Sequence, residues 1–216
     1  MAQTITAAVS IALIATACDP SKASKTATGS KASEAYSRAQ ADKYRRNPNP
    51  KQRYDITMII ADAPGPFESV QWYANYEAPN CLFILDRFAG VSSRPSYRMP
   101  VHFRKVDGIT YVGTVHLDAM LDDDYFGDGV CHWELRGTSV SLKATGSKGE
   151  TNFLPGMQLD EVVAEEPKST YLWRGRYPRS TANDFPDFGE PNIDEFRPEI
   201  RDNLFTIAFS SKEVQP

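Results

Sequence analysis

From residue 53 onward the chain alternates apolar and polar positions in short bursts. Tyr54, Ile56, Met58 and Ile60 alternate with Asp55, Thr57 and Ile59. Successive strand side chains point to opposite faces, so this period of two places one face on a core. Phe67 to Tyr76 is aromatic and strand-like. Cys81 to Phe88 (CLFILDRF) is a nearly continuous apolar run, which predicts a strand covered on both faces. Tyr97 to Val106 and Ile109 to Leu117 follow, joined by Asp107-Gly108, a two-residue hairpin signal. Cys131 to Ala144 reads as a strand with a bulge near Gly137. Leu159 to Ala164 and Tyr171 to Tyr177 are weaker strand candidates, and Leu204 to Phe209 is a closing strand.

No segment carries an apolar i, i+3, i+4 pattern over more than two helical turns. Many short strands separated by Gly and Pro turns predict a mainly β chain. The expected architecture is a single antiparallel β-sandwich over residues 53–216, with immunoglobulin-like topology as one form and a small barrel as the alternative.

The pattern changes on the N-terminal side. Residues 19–52 are rich in Ser, Ala, Lys and Thr, and SKASKTATGSKAS cannot bury enough surface to offset its ordering entropy. This stretch is expected to be a flexible basic tether, and Asn47-Pro48-Asn49-Pro50 ends any helix within it. Residues 1–18 carry no charged side chain. The apolar run from Ala7 to Ala17 has the length of a signal-peptide core and is too short and interrupted to stay in a bilayer as a span.

Ala15, Thr16 and Ala17 precede Cys18 in an arrangement that resembles the bacterial lipobox, which implies a lipidated Cys18. Ala15 stands where that motif usually has Leu, and no basic residue precedes the apolar run, which leaves room for a start site upstream. An ordinary cleaved signal with an incidental Cys, or a cytosolic apolar helix, are the alternatives. Asp19 after the Cys resembles an inner-membrane retention signal; the expected location is the periplasm.

Charge divides the same way. The 216 residues hold 24 basic and 28 acidic groups, a formal net charge of -4. Residues 19–53 carry nine basic groups against three acidic, so the remainder is strongly acidic, at -10. A basic tether is attracted to an anionic bilayer. An acidic domain is repelled by phosphate backbones, which argues against nucleic acid and for a basic protein as partner. The segment from Asp184 to Asp202 is Pro-rich and holds seven of the acids.

Three cysteines are an odd number for an exported chain. Lipidation of Cys18 leaves Cys81 and Cys131 as a pair for an oxidising compartment. Closing a loop of about 50 residues stabilises by roughly 4 kcal/mol. Two separate buried thiols are the other reading.

Catalytic chemistry is hard to find. There is no G-x-S-x-G, Walker A, G-x-G-x-x-G or H-E-x-x-H sequence. His102, His116 and His132 all fall within predicted strands, where a satisfied structural histidine is expected. The chain is therefore expected not to be an enzyme. The candidate site is the acidic loop Asp122-Asp123-Asp124-Tyr125-Phe126-Gly127-Asp128-Gly129. Asp122, Asp124 and Asp128 could offer oxygens to Ca²⁺. Against an EF-hand, Phe126 stands at position five and Trp133 at position twelve, where ligands belong. Otherwise Asp122, Asp123, Asp124 and Asp128 form a partner-binding tip, or a plain solvated loop. Trp72, Tyr73, Tyr76, Tyr171, Trp173 and Tyr177 are either core or recognition surface.

Two stretches carry a family resemblance: ITMIIADAPGPFESVQWYANYEAPNCLF from Ile56, and ITYVGTVHLDAMLDDDYFGDGVCHWELRGTSVSLKATG from Ile109. They resemble a group of small proteobacterial lipoproteins that look like immunity proteins for antibacterial effectors of type VI secretion or related systems. The resemblance implies a periplasmic protein that binds a secreted toxic enzyme and blocks it, and it implies no catalytic residues. The alternative is an envelope accessory lipoprotein that binds Ca²⁺, a glycan or an assembly partner.

Overall fold

The alternation read at residues 54–60 does form a strand, and the ladder around it organises the molecule. A computed structural model describes residues 42–86, 88–180 and 186–215. The expected export segment, Cys18, Asp19 and the expected tether up to residue 41 lie outside the described residues.

The chain is mainly β, with antiparallel sheets packed as a sandwich. In chain order the strands are β1 (Arg53–Ala61), β2 (Ser69–Glu77), β3 (Phe83–Asp86), β4 (Val91–Ser93), β5 (Ser96–Pro100) and β6 (Phe103–Lys105). They continue with β7 (Thr110–His116), β8 (Glu134–Lys143), β9 (Gly156–Gln158), β10 (Lys168–Trp173) and β11 (Leu204–Val214). One short helix, α1 (Leu159–Ala164), joins β9 to β10.

Five strands form the first sheet in the order β10-β11-β1-β7-β6, four form the second as β5-β2-β8-β9, and β3 pairs only with β4. Strand β1 sits at the centre, with Met58 opposite both Phe209 and Tyr111. The immunoglobulin order puts the first strand at a sheet edge, so this topology is different.

The core lies between the two inner faces. Ile56 and Met58 of β1 are wholly buried, as are Val140 and Leu142 of β8 and Ile207 of β11. Trp72, Tyr76 and Phe209 close it. Tyr76 points its hydroxyl at the His116 carbonyl, 2.6 Å away, so burial leaves that group satisfied.

Local signals account for several elements. Asp107 Oδ1 accepts from the amides of Ile109 and Thr110, each at 2.8 Å, and so holds the turn between β6 and β7. Those two bonds hold its carboxyl below the ordinary carboxylate range. The expected bulge lies at Gly137, where φ is +151° and the β2–β8 register shifts.

Four expectations change. The stretch from Tyr97 to Val106 is not one strand: β5 belongs to the second sheet and β6 to the first, and residues between them cross the sandwich corner. Val101 donates to Trp72 O at 2.8 Å on the way. Leu159–Ala164 is helical rather than extended. Glu161 accepts from the Gln158 amide at 2.7 Å, an N-terminal cap, and Val162 is wholly buried beneath it.

CLFILDRF is not covered on both faces. Its β3–β4 hairpin stands outside both sheets, with Leu82 60% and Ile84 52% exposed. Finally, the domain does not begin at residue 53. The described residues from Asp42 on belong to its compact unit. Tyr44 is buried, Leu121 N donates to Arg45 O at 2.9 Å, and Asn47 N donates to Ala119 O at 2.8 Å. Residues 44–52 form a strap along residues 117–121. The tether reading ends where Tyr44 finds an aromatic pocket.

Candidate functional site

The strap, the acidic loop and the β3–β4 hairpin meet at one end of the domain. Cys81 and Cys131 form a disulfide across 50 residues, with their Cα atoms 5.5 Å apart. Asn80 braces the bridge from both sides. Its Nδ2 donates to Val130 O, and its Oδ1 accepts from His132 N, each at 2.8 Å.

The acidic loop closes on itself, because Cys131 N donates to Asp123 O at 2.9 Å. Beneath it lies an aromatic floor. Tyr44 meets Trp133 at 4.8 Å and Tyr125 at 5.3 Å, both edge-on, the geometry that ring quadrupoles favour. Phe83 of the hairpin stacks on Phe126 of the acidic loop, 5.9 Å between centroids. Hairpin and loop are thus held together twice, by the disulfide and by this stack.

The carboxylates of the loop face different ways. Asp122 accepts from Trp133 N at 2.8 Å and from His132 Nδ1 at 2.7 Å. Asp123 pairs with Arg45 of the strap. Asp124 Oδ1 accepts from Gly127 N at 2.6 Å and Phe126 N at 3.3 Å, so it caps its own turn. Asp128 is exposed at the tip.

Asp122 and Asp124 are thus each engaged locally, while Asp128 stands at the tip. Among the described residues no group of three or more His, Cys, Asp or Glu is placed to hold a metal ion. Asp122, Asp124 and Asp128 keep their exposure, so the tip still presents negative charge to solvent.

Beside it stands an apolar patch. Leu82, Ile84, Phe88 and Val91 of the hairpin are exposed, Phe88 fully, and Val130 of the loop is exposed next to Cys131. Scattered exposed apolar residues are ordinary, but several together beside a rim of charge mark an interaction surface.

The histidines are not all strand residues. His102 lies exposed between β5 and β6, His116 ends β7, and His132 lies on the loop as the partner of Asp122. Trp72 and Tyr76 are core, whereas Tyr73 faces outward beneath the Arg98 guanidinium, 5.0 Å from its ring centroid.

The chain matches no family model, no curated protein and no solved structure. Sequence reasoning missed the hairpin patch, since an apolar run reads the same whether a second layer covers it or not. The turn at Phe88-Ala89-Gly90 falls at the end of the expected strand and leads straight into a hairpin, which was the available signal. It missed the strap because Tyr44 has no apolar neighbour in a polar stretch.

Proposed function

We propose that this chain is a non-enzymatic binding protein of the bacterial periplasm, held to a membrane through lipid on Cys18, which captures a protein partner at the stapled end of its domain. The partner is a secreted antibacterial effector, and capture neutralises it, as the resemblance to immunity proteins implies. If Asp19 acts as a retention signal, the anchor lies in the inner membrane.

One observation carries the reading: an exposed apolar hairpin is pinned by a disulfide against a loop of exposed carboxylates. Apolar anchors ringed by polar groups are the usual anatomy of a binding hot spot. Fixing both loops in advance lowers the ordering cost of association. The negative charge of the domain accelerates encounter with a basic partner and disfavours nucleic acid.

The test is competition between cells. Deleting the gene is expected to sensitise cells to siblings that deliver the effector. The full-length chain restores protection, and a chain carrying Leu82→Asp and Phe88→Asp does not, although it reaches the membrane in equal amount. Undiminished resistance of the deletion strain to every sibling effector would sink the proposal. So would full protection by the doubly substituted chain, or failure of labelled palmitate to mark Cys18.

A further inference from the structure

The outer face of the second sheet is hollow. Strand register sets Arg98 of β5, Asn75 of β2, Gly137 of β8 and Gln158 of β9 in one row across it. The next row runs Pro100, Tyr73, Ser139, Gly156. Small residues along β8 and β9 thus lower the floor. Two adjoining clefts of about 330 Å³ and about 320 Å³ lie here and meet at Ser139 and Leu154, which line both and together make a groove.

The floor is polar and already ordered. Asn75 Nδ2 donates to Ser139 Oγ at 3.1 Å, Arg98 Nε donates to Asn75 Oδ1 at 3.3 Å, and Ser141 Oγ donates to Asn152 Oδ1. Each amide and hydroxyl retains capacity for a further bond. Charge is the second observation. Four cations border the groove. Arg136 is paired with Glu77 and Glu134, and Lys168 with Glu161. Among the described residues Arg98 and Lys143 form no ion pair. A strongly acidic domain thus leaves two cations uncompensated at one groove.

The third observation is the far wall. Residues 186–191, part of the acidic Pro-rich segment, run between the sheets. Leu154 N donates to Asp187 O at 2.7 Å, and Tyr171 and Glu190 exchange main-chain bonds at 2.8 and 2.9 Å. Gly189 passes so near Tyr171 O that a Cβ there would stand 2.6 Å from it. This anchored backbone holds Phe188 at the rim, where the residue is 63% exposed.

We propose that this groove binds a carboxylated oligosaccharide of the uronate type. Asn75, Ser139, Ser141 and Asn152 bond its hydroxyls. Arg98 and Lys143 meet its carboxylates, and Phe188 covers an apolar ring face. An extended acidic peptide suits the groove less well. The floor is the face of a sheet whose main-chain groups already serve the ladder, and peptide capture by strand addition needs a free edge. The groove and the stapled loops share no residue, so this proposal stands or falls apart from the capture of a protein effector.

Calorimetric titration of the full-length chain with tetragalacturonate tests it, with maltotetraose and pentaglutamate as the neutral saccharide and the acidic peptide. Tetragalacturonate is expected to bind, and to bind more tightly than either comparison. Replacing the two groove cations, exposed Arg98→Gln with half-buried Lys143→Gln, is expected to weaken it by about tenfold or more, the usual effect of losing charge-assisted bonds. Ser139→Tyr, which fills the floor from the solvent side, is expected to abolish binding with an unchanged thermal midpoint. If Ser139→Tyr does not fold, the cation variant decides alone. No heat with tetragalacturonate, equal binding of pentaglutamate, or full affinity in the cation variant overturns the proposal.

Discussion

Replacing Tyr44 by Ala tests whether the strap is part of the fold. Tyr44 stands nine residues before the first strand, and a tether residue there would tolerate any substitution. In the structure it is 8% exposed and wedged among Tyr125, Phe126 and Trp133. Truncating a buried aromatic costs about 3–5 kcal/mol when the cavity cannot collapse. Here the cost has a ceiling, since the strap can detach instead. Its attachments include three main-chain bonds to residues 117–121, and Asp118 accepts from the amides of Lys51 and Gln52 at 2.8 and 3.0 Å. At about 1 kcal/mol net for each bond, detachment is not cheaper than the cavity. We therefore expect a loss of about 3 kcal/mol.

For a domain of this size that lowers the thermal midpoint by about 6–12 °C. Circular dichroism melting of the full-length Tyr44→Ala chain reads it, with Lys43→Ala, an exposed neighbour, as control. The acidic loop rests on the same aromatic floor, so amide exchange at residues 122–130 should accelerate as well. A midpoint equal to that of the Lys43→Ala control would refute the packing argument and return residues 42–52 to the tether.

Three further outcomes are expected. Reducing the Cys81–Cys131 bond removes a cross-link over 50 residues, worth about 4 kcal/mol on the chain-entropy model; urea unfolding of oxidised against reduced protein measures it, and coincident curves would contradict it. Gly156→Ala sets a Cβ about 2.0 Å from Thr138 O, so β9 must move off β8 at a cost of about 1–3 kcal/mol; an unchanged melt would refute this contact. Burial, then the neighbouring Glu195, raises the Glu190 carboxyl above its ordinary value. A raised carboxyl favours the fold below its unfolded pKa, and that contribution is lost as pH rises through the folded value. Glu190→Gln should therefore melt higher than wild type near neutrality, with the gap closing in acid; a gap independent of pH would show that ionisation is not its source.

The acid limb of the stability profile has an opposite contributor in β1. Burial opposes ionisation of Asp55, but hydrogen bonds from Thr114 and Arg53 outweigh it and hold the carboxyl below its ordinary range. Its contribution is present above the unfolded carboxylate pKa and fades as pH falls through the lower folded value. Glu190 and Asp55 therefore pull the pH profile in opposite directions, and single substitutions at each separate them.

Sequence alone determined what depends on near neighbours in the chain. Period-two alternation at residues 54–60, and of Thr110, Val112, Thr114 and His116 with Tyr111, Gly113 and Val115, specified strands. Asp107-Gly108 specified a turn, because the Asp side chain needs only the amides two and three residues on. Gly137 marked the bulge because its backbone conformation suits glycine. The expectation of a lipidated Cys18 left Cys81 with Cys131 as one of two readings, and the structure joins that pair.

Tertiary structure decided everything that depends on which surfaces meet. Alternation names an inward face without naming the layer it faces, so residues 96–105 could divide between sheets and CLFILDRF could stand uncovered. A single Tyr44 became core because three rings from residues 125–133 surround it. The groove exists because cross-strand register aligns Gly137, Ser139 and Gly156, residues unremarkable in their own segments. Such pairings join positions tens of residues apart, and one linear pattern carries no term for them.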